Sequence, residues 1–122
     1  MKRFFKLAAA ILVALTATLS LTSCSAEKVD MASVAAVIDV RTPVEFTSGH
    51  LEGAMNFDIQ GMSFMDDLAT LDPNATYLVY CRSGSRAAAA VDTMKSMGID
   101  NVTNLGSVND AASATGLAVV TG

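Results

Sequence analysis

The chain has 122 residues, of which 52% are hydrophobic, with eight basic and twelve acidic side chains and a net charge of −4 at pH 7. This length supports one small domain with a single core. The acidic balance argues against a nucleic-acid partner, because phosphate backbones select basic surfaces.

The N-terminus has the pattern of a secretory signal peptide, which we place at residues 1–23. It begins with Met1-Lys2-Arg3-Phe4-Phe5-Lys6, and a short apolar run and small residues follow. The run is shorter than the roughly 20 residues that a membrane-spanning helix needs. Leu21-Thr22-Ser23-Cys24 resembles the lipobox of bacterial lipoproteins, which implies that Cys24 carries the lipid. We therefore expect an extracytoplasmic protein, lipid-anchored in a bacterial cell envelope; the alternative is a secreted protein with a free Cys24.

Removal of a signal peptide would change the cysteine count and the charge. The 99 residues from Cys24 onward carry five basic and twelve acidic side chains, a net charge of −7. We interpret residues 24–33 as a tether and residues 34–122 as the domain. Once Cys24 is assigned to the anchor, Cys81 is the one cysteine left, so no internal disulfide can form. A leftover thiol in an oxidising compartment favours a functional role for Cys81.

Short β and α patterns alternate along the domain. The β-branched run at 35–40 predicts a buried strand, and Thr42-Pro43 then predicts the start of a helix that Gly49 ends. A strand at 54–57 and a helix at 63–71 follow. Tyr77–Tyr80 is the strongest strand pattern, and it leads through Cys81 into an amphipathic helix at 86–97, whose predicted inward face is Ala87, Ala90, Val91, Met94 and Met97.

The remaining segments are a strand at 102–105 and a closing apolar segment at 117–120. This alternation predicts an α/β fold, a doubly wound parallel sheet with helices on both faces. Active sites of such sheets lie at the carboxyl ends of the strands. Cys81 falls there, at a strand-to-helix junction.

The segment Cys81-Arg82-Ser83-Gly84-Ser85-Arg86 has the residues of an anion-binding loop. Successive backbone N–H groups at a helix N-terminus form a site for an anion, and Gly84 permits the tight backbone conformation that such a loop requires. A cysteine reacts as its thiolate, which amides and nearby cations such as Arg82 and Arg86 stabilise. We expect Cys81 to be the catalytic nucleophile and residues 82–86 to bind the substrate.

Three motifs, taken together, resemble the rhodanese family. The loop matches its Cys-x-x-Gly-x-Arg pattern, residues 39–46 (DVRTPVEF) look like its "DVR-x-x-x-E-F" segment, and residues 50–56 (HLEGAMN) look like its "HI-x-GA-x-N" segment. The resemblance covers about residues 35 to 106. It implies a sulfurtransferase that moves a sulfane sulfur from a small donor such as thiosulfate, through a Cys81 persulfide, to a thiol or cyanide. Where many members have Gly-Gly-x-x-x-Trp, this chain has Gly106-Ser107-Val108-Asn109-Asp110-Ala111.

Other charged residues near the predicted site are interpreted as structural support. Asp39 and Arg41 are expected to pair or to hydrogen-bond to nearby loops, Glu45 to form a salt bridge with Arg41, and His50 to fix a loop. We expect no cofactor and no metal, and we interpret the methionines as core residues.

Two other functions compete with the sulfurtransferase. A cysteine phosphatase or arsenate reductase also holds an oxyanion beside a thiolate, but such phosphatases use Cys-x5-Arg, whereas Cys81 and Arg86 form Cys-x4-Arg. The tighter loop suits a single sulfur atom better than a phosphate. A non-catalytic rhodanese-like binding module is the third possibility, and the intact Cys81 argues against it.

Overall fold

The structure is a computed structural model that describes residues 28–122. The predicted signal peptide and Cys24 lie outside the described residues. Within residues 28–122, no helix is both long enough and apolar enough to cross a bilayer.

The described residues form strands and helices that alternate along the chain. The strands β1 to β6 are Ala36–Asp39, His50–Leu51, Met55–Asn56, Tyr77–Tyr80, Val102–Asn104 and Val119–Val120. The helices α1 to α4 are Pro43–Ser48, Phe64–Ala69, Ser85–Ser96 and Val108–Thr115, and a short 3-10 helix at Met31–Ser33 precedes β1.

A four-stranded parallel sheet in the order β3-β1-β4-β5 organises the domain. One face of the sheet packs against α2 and α3 through a core that includes Ile38, Val79, Leu68 and Met94. The other face packs against α4 and the 3-10 helix through a second cluster that includes Leu78. Helices therefore cover both faces, which confirms the predicted doubly wound α/β fold.

The register of the two central strands positions the site. Asp39, the last residue of β1, lies opposite Tyr80, the last residue of β4. Parallel strands end at the same edge of a sheet, so the segment after Asp39 and the segment after Tyr80 leave it side by side. Arg41 and Cys81 are thereby brought to one edge.

The C-terminal segment differs most from the sequence prediction. Residues 108–115 form a helix, α4, which the sequence analysis did not predict. Ser107 caps it by accepting the backbone N–H of Asp110, whose carboxylate accepts the N–H of Ser107 in return. The closing apolar segment contributes β6, which pairs antiparallel with β2.

Two smaller differences concern exposure and the start of the domain. Met97, expected on the inward face of α3, is 37% exposed and follows the last helical residue; Met62 and Met65 are exposed as well, so the interpretation of the methionines as core residues is wrong for these three. Val29, within the predicted tether, donates its backbone N–H to the carbonyl of Ala114 (2.8 Å) and packs with Met31 against the second cluster. The segment from Val29 onward is therefore in contact with the domain.

Candidate active site

Cys81 lies directly after β4 and is completely buried. Its backbone N–H donates to the carbonyl of Gly106 (3.0 Å), which continues the hydrogen bonding past the end of the strand. Its Sγ accepts a hydrogen bond from the backbone N–H of Gly84 (2.9 Å). The loop therefore curls back on the sulfur, as the sequence predicted.

Gly84 makes this curl possible. Its φ of +96° lies in the left-handed region that residues with a Cβ rarely adopt. It immediately precedes Ser85, the first residue of α3, so its amide belongs to the helix N-terminus, where N–H groups are free to bind an acceptor. The Gly84 amide thus stabilises negative charge on Cys81 Sγ.

The other polar loop residues face outward. Arg82, Ser83 and Ser85 are exposed, and the two serine hydroxyls lie 3.2 Å apart. Within residues 28–122, Arg82 forms no salt bridge. Its guanidinium is therefore available to an anion arriving at the loop.

Arg86, in contrast, is held by Glu45. Its Nη1 and Nη2 donate to Oε2 and Oε1 of Glu45 at 2.8 and 3.0 Å, a bidentate pair that joins α3 to α1. Glu45 Oε2 also accepts the backbone N–H of Thr42, which completes the N-terminal cap of α1. The hydrogen bonds from Arg86 lower the pKa of the Glu45 carboxyl from 4.5 to about 2, and the same pairing raises the pKa of Arg86.

The expected pairing of Glu45 with Arg41 is wrong. Arg41 pairs with Asp39, only two residues away, through Nε and Nη2, the shortest contact being 2.7 Å. The physical reason is local: the Asp39 carboxylate also accepts the backbone N–H of Arg41 (2.9 Å), which keeps the two side chains together, whereas capping α1 turns Glu45 back toward Thr42. The general expectation that Asp39 and Arg41 form an ion pair near the site is met.

The buried pair is enclosed by further contacts. The Arg41 guanidinium carbon lies 5.8 Å from the ring centroid of Tyr80, and Nη2 donates to the carbonyl of Gly49. The Tyr80 hydroxyl accepts the backbone N–H of Leu51 (3.0 Å), and burial raises the pKa of Tyr80. These contacts hold the α1–β2 turn against Arg41 and Tyr80.

His50, the first residue of β2, contacts Phe46 in α1. Its Nδ1 is 2.8 Å from the carbonyl oxygen of Phe46, and the two rings stack with centroids 3.7 Å apart. Within residues 28–122, His50 makes no hydrogen bond to the Cys81 loop. The geometry agrees with the loop-fixing interpretation.

Sequence reasoning missed Asn104 and gave no role to Gly106. The Asn104 side chain donates to the carbonyl of Gly84 (2.9 Å) and accepts the N–H of Gly106 (2.8 Å). The available signal was a polar residue at the carboxyl end of β5, the strand next to β4.

Comparison with known proteins decides the family. A model of the rhodanese-like domain matches residues 24–113. The chain belongs to the rhodanese family. This confirms the family that the three motifs indicated.

Two relatives extend the comparison. This rhodanese is 33% identical over 75 residues to thiosulfate sulfurtransferase PspE of Escherichia coli, a match that covers 62% of this chain and 72% of that protein. It is 32% identical over 68 residues to thiosulfate sulfurtransferase GlpE of Pseudomonas entomophila, covering 56% of this chain and 61% of that protein. These relatives support the prediction that this rhodanese is an enzyme of the sulfurtransferase class.

A solved structure shows the same fold. The chain resembles a structure described as a rhodanese with anions from E. coli, with a TM-score of 0.60 and 30% identity over 71% of this chain and 98% of that one. The fold match spans nearly all of that chain.

Proposed function

We propose that this rhodanese moves a sulfane sulfur from thiosulfate or a similar donor, through a persulfide on Cys81, to a thiol or cyanide acceptor. The observation that carries the proposal is the 2.9 Å hydrogen bond from the Gly84 N–H to Cys81 Sγ, made at the amino end of α3. A donor aimed at the sulfur stabilises its anionic form, which is the attacking form of a cysteine.

The proposed reaction has two displacements at sulfur. The Cys81 thiolate attacks the outer sulfur of thiosulfate, a new S–S bond forms, and sulfite leaves with the electron pair of the bond that breaks. The acceptor then attacks the outer sulfur of the persulfide, and the Cys81 thiolate leaves. Cyanide becomes thiocyanate, and a thiol acceptor becomes a persulfide. The Gly84 N–H is placed to stabilise the thiolate that opens and closes this cycle.

The two loop arginines take different parts in the proposal. Arg82 is exposed and attracts the sulfonate of the donor. Arg86 has its charge neutralised by Glu45, so we assign it the positioning of α3 relative to α1. Ser83 and Ser85 border the opening of the loop and are available to hydrogen-bond the same sulfonate.

The decisive test is the mass of the protein after incubation with thiosulfate. We expect a gain of one sulfur atom, its loss on addition of cyanide with release of thiocyanate, and neither event in Cys81→Ser. Cys24→Ser, which leaves Cys81 in place, is the matched control and should gain the sulfur. Hydrolysis of an aryl phosphate without any sulfur adduct would instead identify a cysteine phosphatase. Absence of both activities would favour a binding module.

We further propose that the protein acts outside the cytoplasm, anchored by a lipid on Cys24. The support is the sequence alone: a basic start, an apolar run and Leu21-Thr22-Ser23-Cys24 in the order of a lipoprotein signal. Labelled palmitate should enter the wild-type protein in bacteria and be absent from Cys24→Ala. Label retained by Cys24→Ala would refute the anchor, with Cys81→Ala as the control that should keep it.

A further inference from the structure

The Asn104 side chain connects β5 to the Cys81 loop. Its amide nitrogen donates to the carbonyl of Gly84, and its amide oxygen accepts the N–H of Gly106. The Gly84 carbonyl can bond only the NH₂ group of the amide, and the Gly106 N–H can bond only its oxygen. The Asn104 amide is therefore fixed in one orientation by two backbone groups.

These bonds close a circuit that begins and ends at Cys81. The Cys81 N–H donates to the Gly106 carbonyl, and the Gly106 N–H donates to Asn104. Asn104 donates to the Gly84 carbonyl, and the Gly84 N–H donates to Cys81 Sγ. The two glycines that hydrogen-bond to Cys81, Gly84 and Gly106, are thus both bonded by the same Asn104 side chain.

Gly84 and Gly106 pack closely together, which leaves little room for the loop to move. A Cβ built on Gly84 would lie 3.3 Å from Cα of Gly106, tighter than most such contacts. A Cβ on Gly106, whose φ is +85°, would lie 2.8 Å from Oδ2 of Asp110. The carbonyl of Gly84 also accepts the Ala88 N–H within α3, so Asn104 supplies the bond that ties this carbonyl to a different element.

We propose that Asn104 is a positioning residue for the sulfur-transfer reaction: it holds Gly84 by its carbonyl so that the Gly84 N–H, in the preceding peptide group, faces Cys81 Sγ. The proposal rests on the proposed function for its effect on rate, but its structural part does not. Asn104 itself contacts backbone groups and acts through Gly84. Its side chain is exposed to solvent, so its replacement leaves the core intact.

The test compares Asn104→Ala with Asn101→Ala. Asn101 directly precedes the first residue of β5, and its side chain makes no hydrogen bond within the described residues. Asn104→Ala loses both side-chain hydrogen bonds, but we expect persulfide formation at saturating thiosulfate to slow about fivefold to tenfold, the equivalent of the one bond that holds the Gly84 carbonyl. The KM for thiosulfate should change little, because Arg82 is untouched. Asn101→Ala should behave as wild type.

A second variant and a second measurement separate positioning from general destabilisation. Asn104→Asp keeps an acceptor for the Gly106 N–H but loses the donor to the Gly84 carbonyl, so it should be as slow as Asn104→Ala. Amide hydrogen exchange followed by NMR should be faster at Gly84 in both variants and unchanged at Ile38 and Val79 in the sheet.

Three results would overturn the proposal: a wild-type rate in Asn104→Asp, unchanged exchange at Gly84, or faster exchange throughout the sheet together with the rate loss. Failure of the proposed function has a different signature. In that case the wild-type protein forms no persulfide, and the exchange at Gly84 still decides whether Asn104 positions the loop.

Discussion

Two ion pairs lie at the same edge of the sheet and differ in nearly every respect. The Asp39–Arg41 pair joins residues two apart and is buried, with side-chain exposures of 0% and 8%. The Glu45–Arg86 pair joins residues 41 apart and is partly exposed, at 30% and 23%. The first fixes one turn; the second connects α1 to α3, the helix that follows the Cys81 loop.

The difference in burial indicates that the two ion pairs have different roles, one in folding and one in holding the Cys81 loop. A buried pair gives little net stability when both members are present, but loss of one leaves an uncompensated charge in the core. A partly exposed pair contributes modestly and is screened by solvent. We therefore expect Asp39–Arg41 to determine whether the edge folds, and Glu45–Arg86 to determine how well the loop is held.

The largest expected effect comes from breaking the buried pair. Asp39→Ala should destabilise the protein by about 3–5 kcal/mol, since Arg41 would remain buried without its partner. The measurement is urea denaturation, with the exposed Asp66→Ala as the matched control, which should change stability by less than about 0.5 kcal/mol.

A double variant makes this prediction sharper. Asp39→Ala combined with Arg41→Met removes both charges and should be more stable than Asp39→Ala alone. Equal or greater destabilisation in the double variant would show that the charge left on Arg41 is not the cause.

A smaller effect is expected from the exposed pair. Glu45→Gln should cost about 1 kcal/mol of stability, because the bidentate contact with Arg86 is partly solvated. It should also slow persulfide formation, since α3 loses its connection to α1. Glu52→Gln changes an exposed glutamate that forms no salt bridge within residues 28–122, and it should change neither property. A loss comparable to that of Asp39→Ala would remove the distinction between the two pairs.

Sequence reasoning predicted the parts of this edge whose signal is local. Tyr77–Tyr80, Cys81 and Gly84 follow one another along the chain, and a strand, a nucleophile and a loop glycine each have a recognisable pattern. The pairing of Asp39 with Arg41 was likewise predicted as one possibility.

The missed features depend on contacts between distant segments. Glu45 meets Arg86 across 41 residues, and the spacing of neither residue indicates the other. Asn104 acts through backbone groups of two loops, which only the folded chain brings together. Strands β2 and β6 have two residues each, too few for any periodicity. Helix α4 is the exception, because Ser107 and Asp110 have the spacing of a capping box and could have been recognised.

The smallest effect, and the sharpest test of the comparison, is the pH dependence of the Glu45–Arg86 contribution. Glu45 has a pKa of about 2 in the folded protein against an ordinary 4.5, because Arg86 hydrogen-bonds its carboxylate. The folded state therefore binds this proton less readily than the unfolded state, and stability rises with pH between these values. The contribution of the pair is complete above about pH 4.5 and is lost as the pH falls through about 2.

This dependence is measured as the difference in unfolding free energy between the wild-type protein and Glu45→Gln, since other carboxylates titrate in the same range. The difference should be constant from pH 7 to about 5 and shrink at lower pH, and it cannot exceed the roughly 1 kcal/mol of the pair itself. High salt should reduce it further, whereas the effect of Asp39→Ala should hardly respond to salt because that pair is buried. A difference that stays constant down to pH 2 would mean that the ionised carboxylate of Glu45, and hence its pairing with Arg86, is not what stabilises the protein.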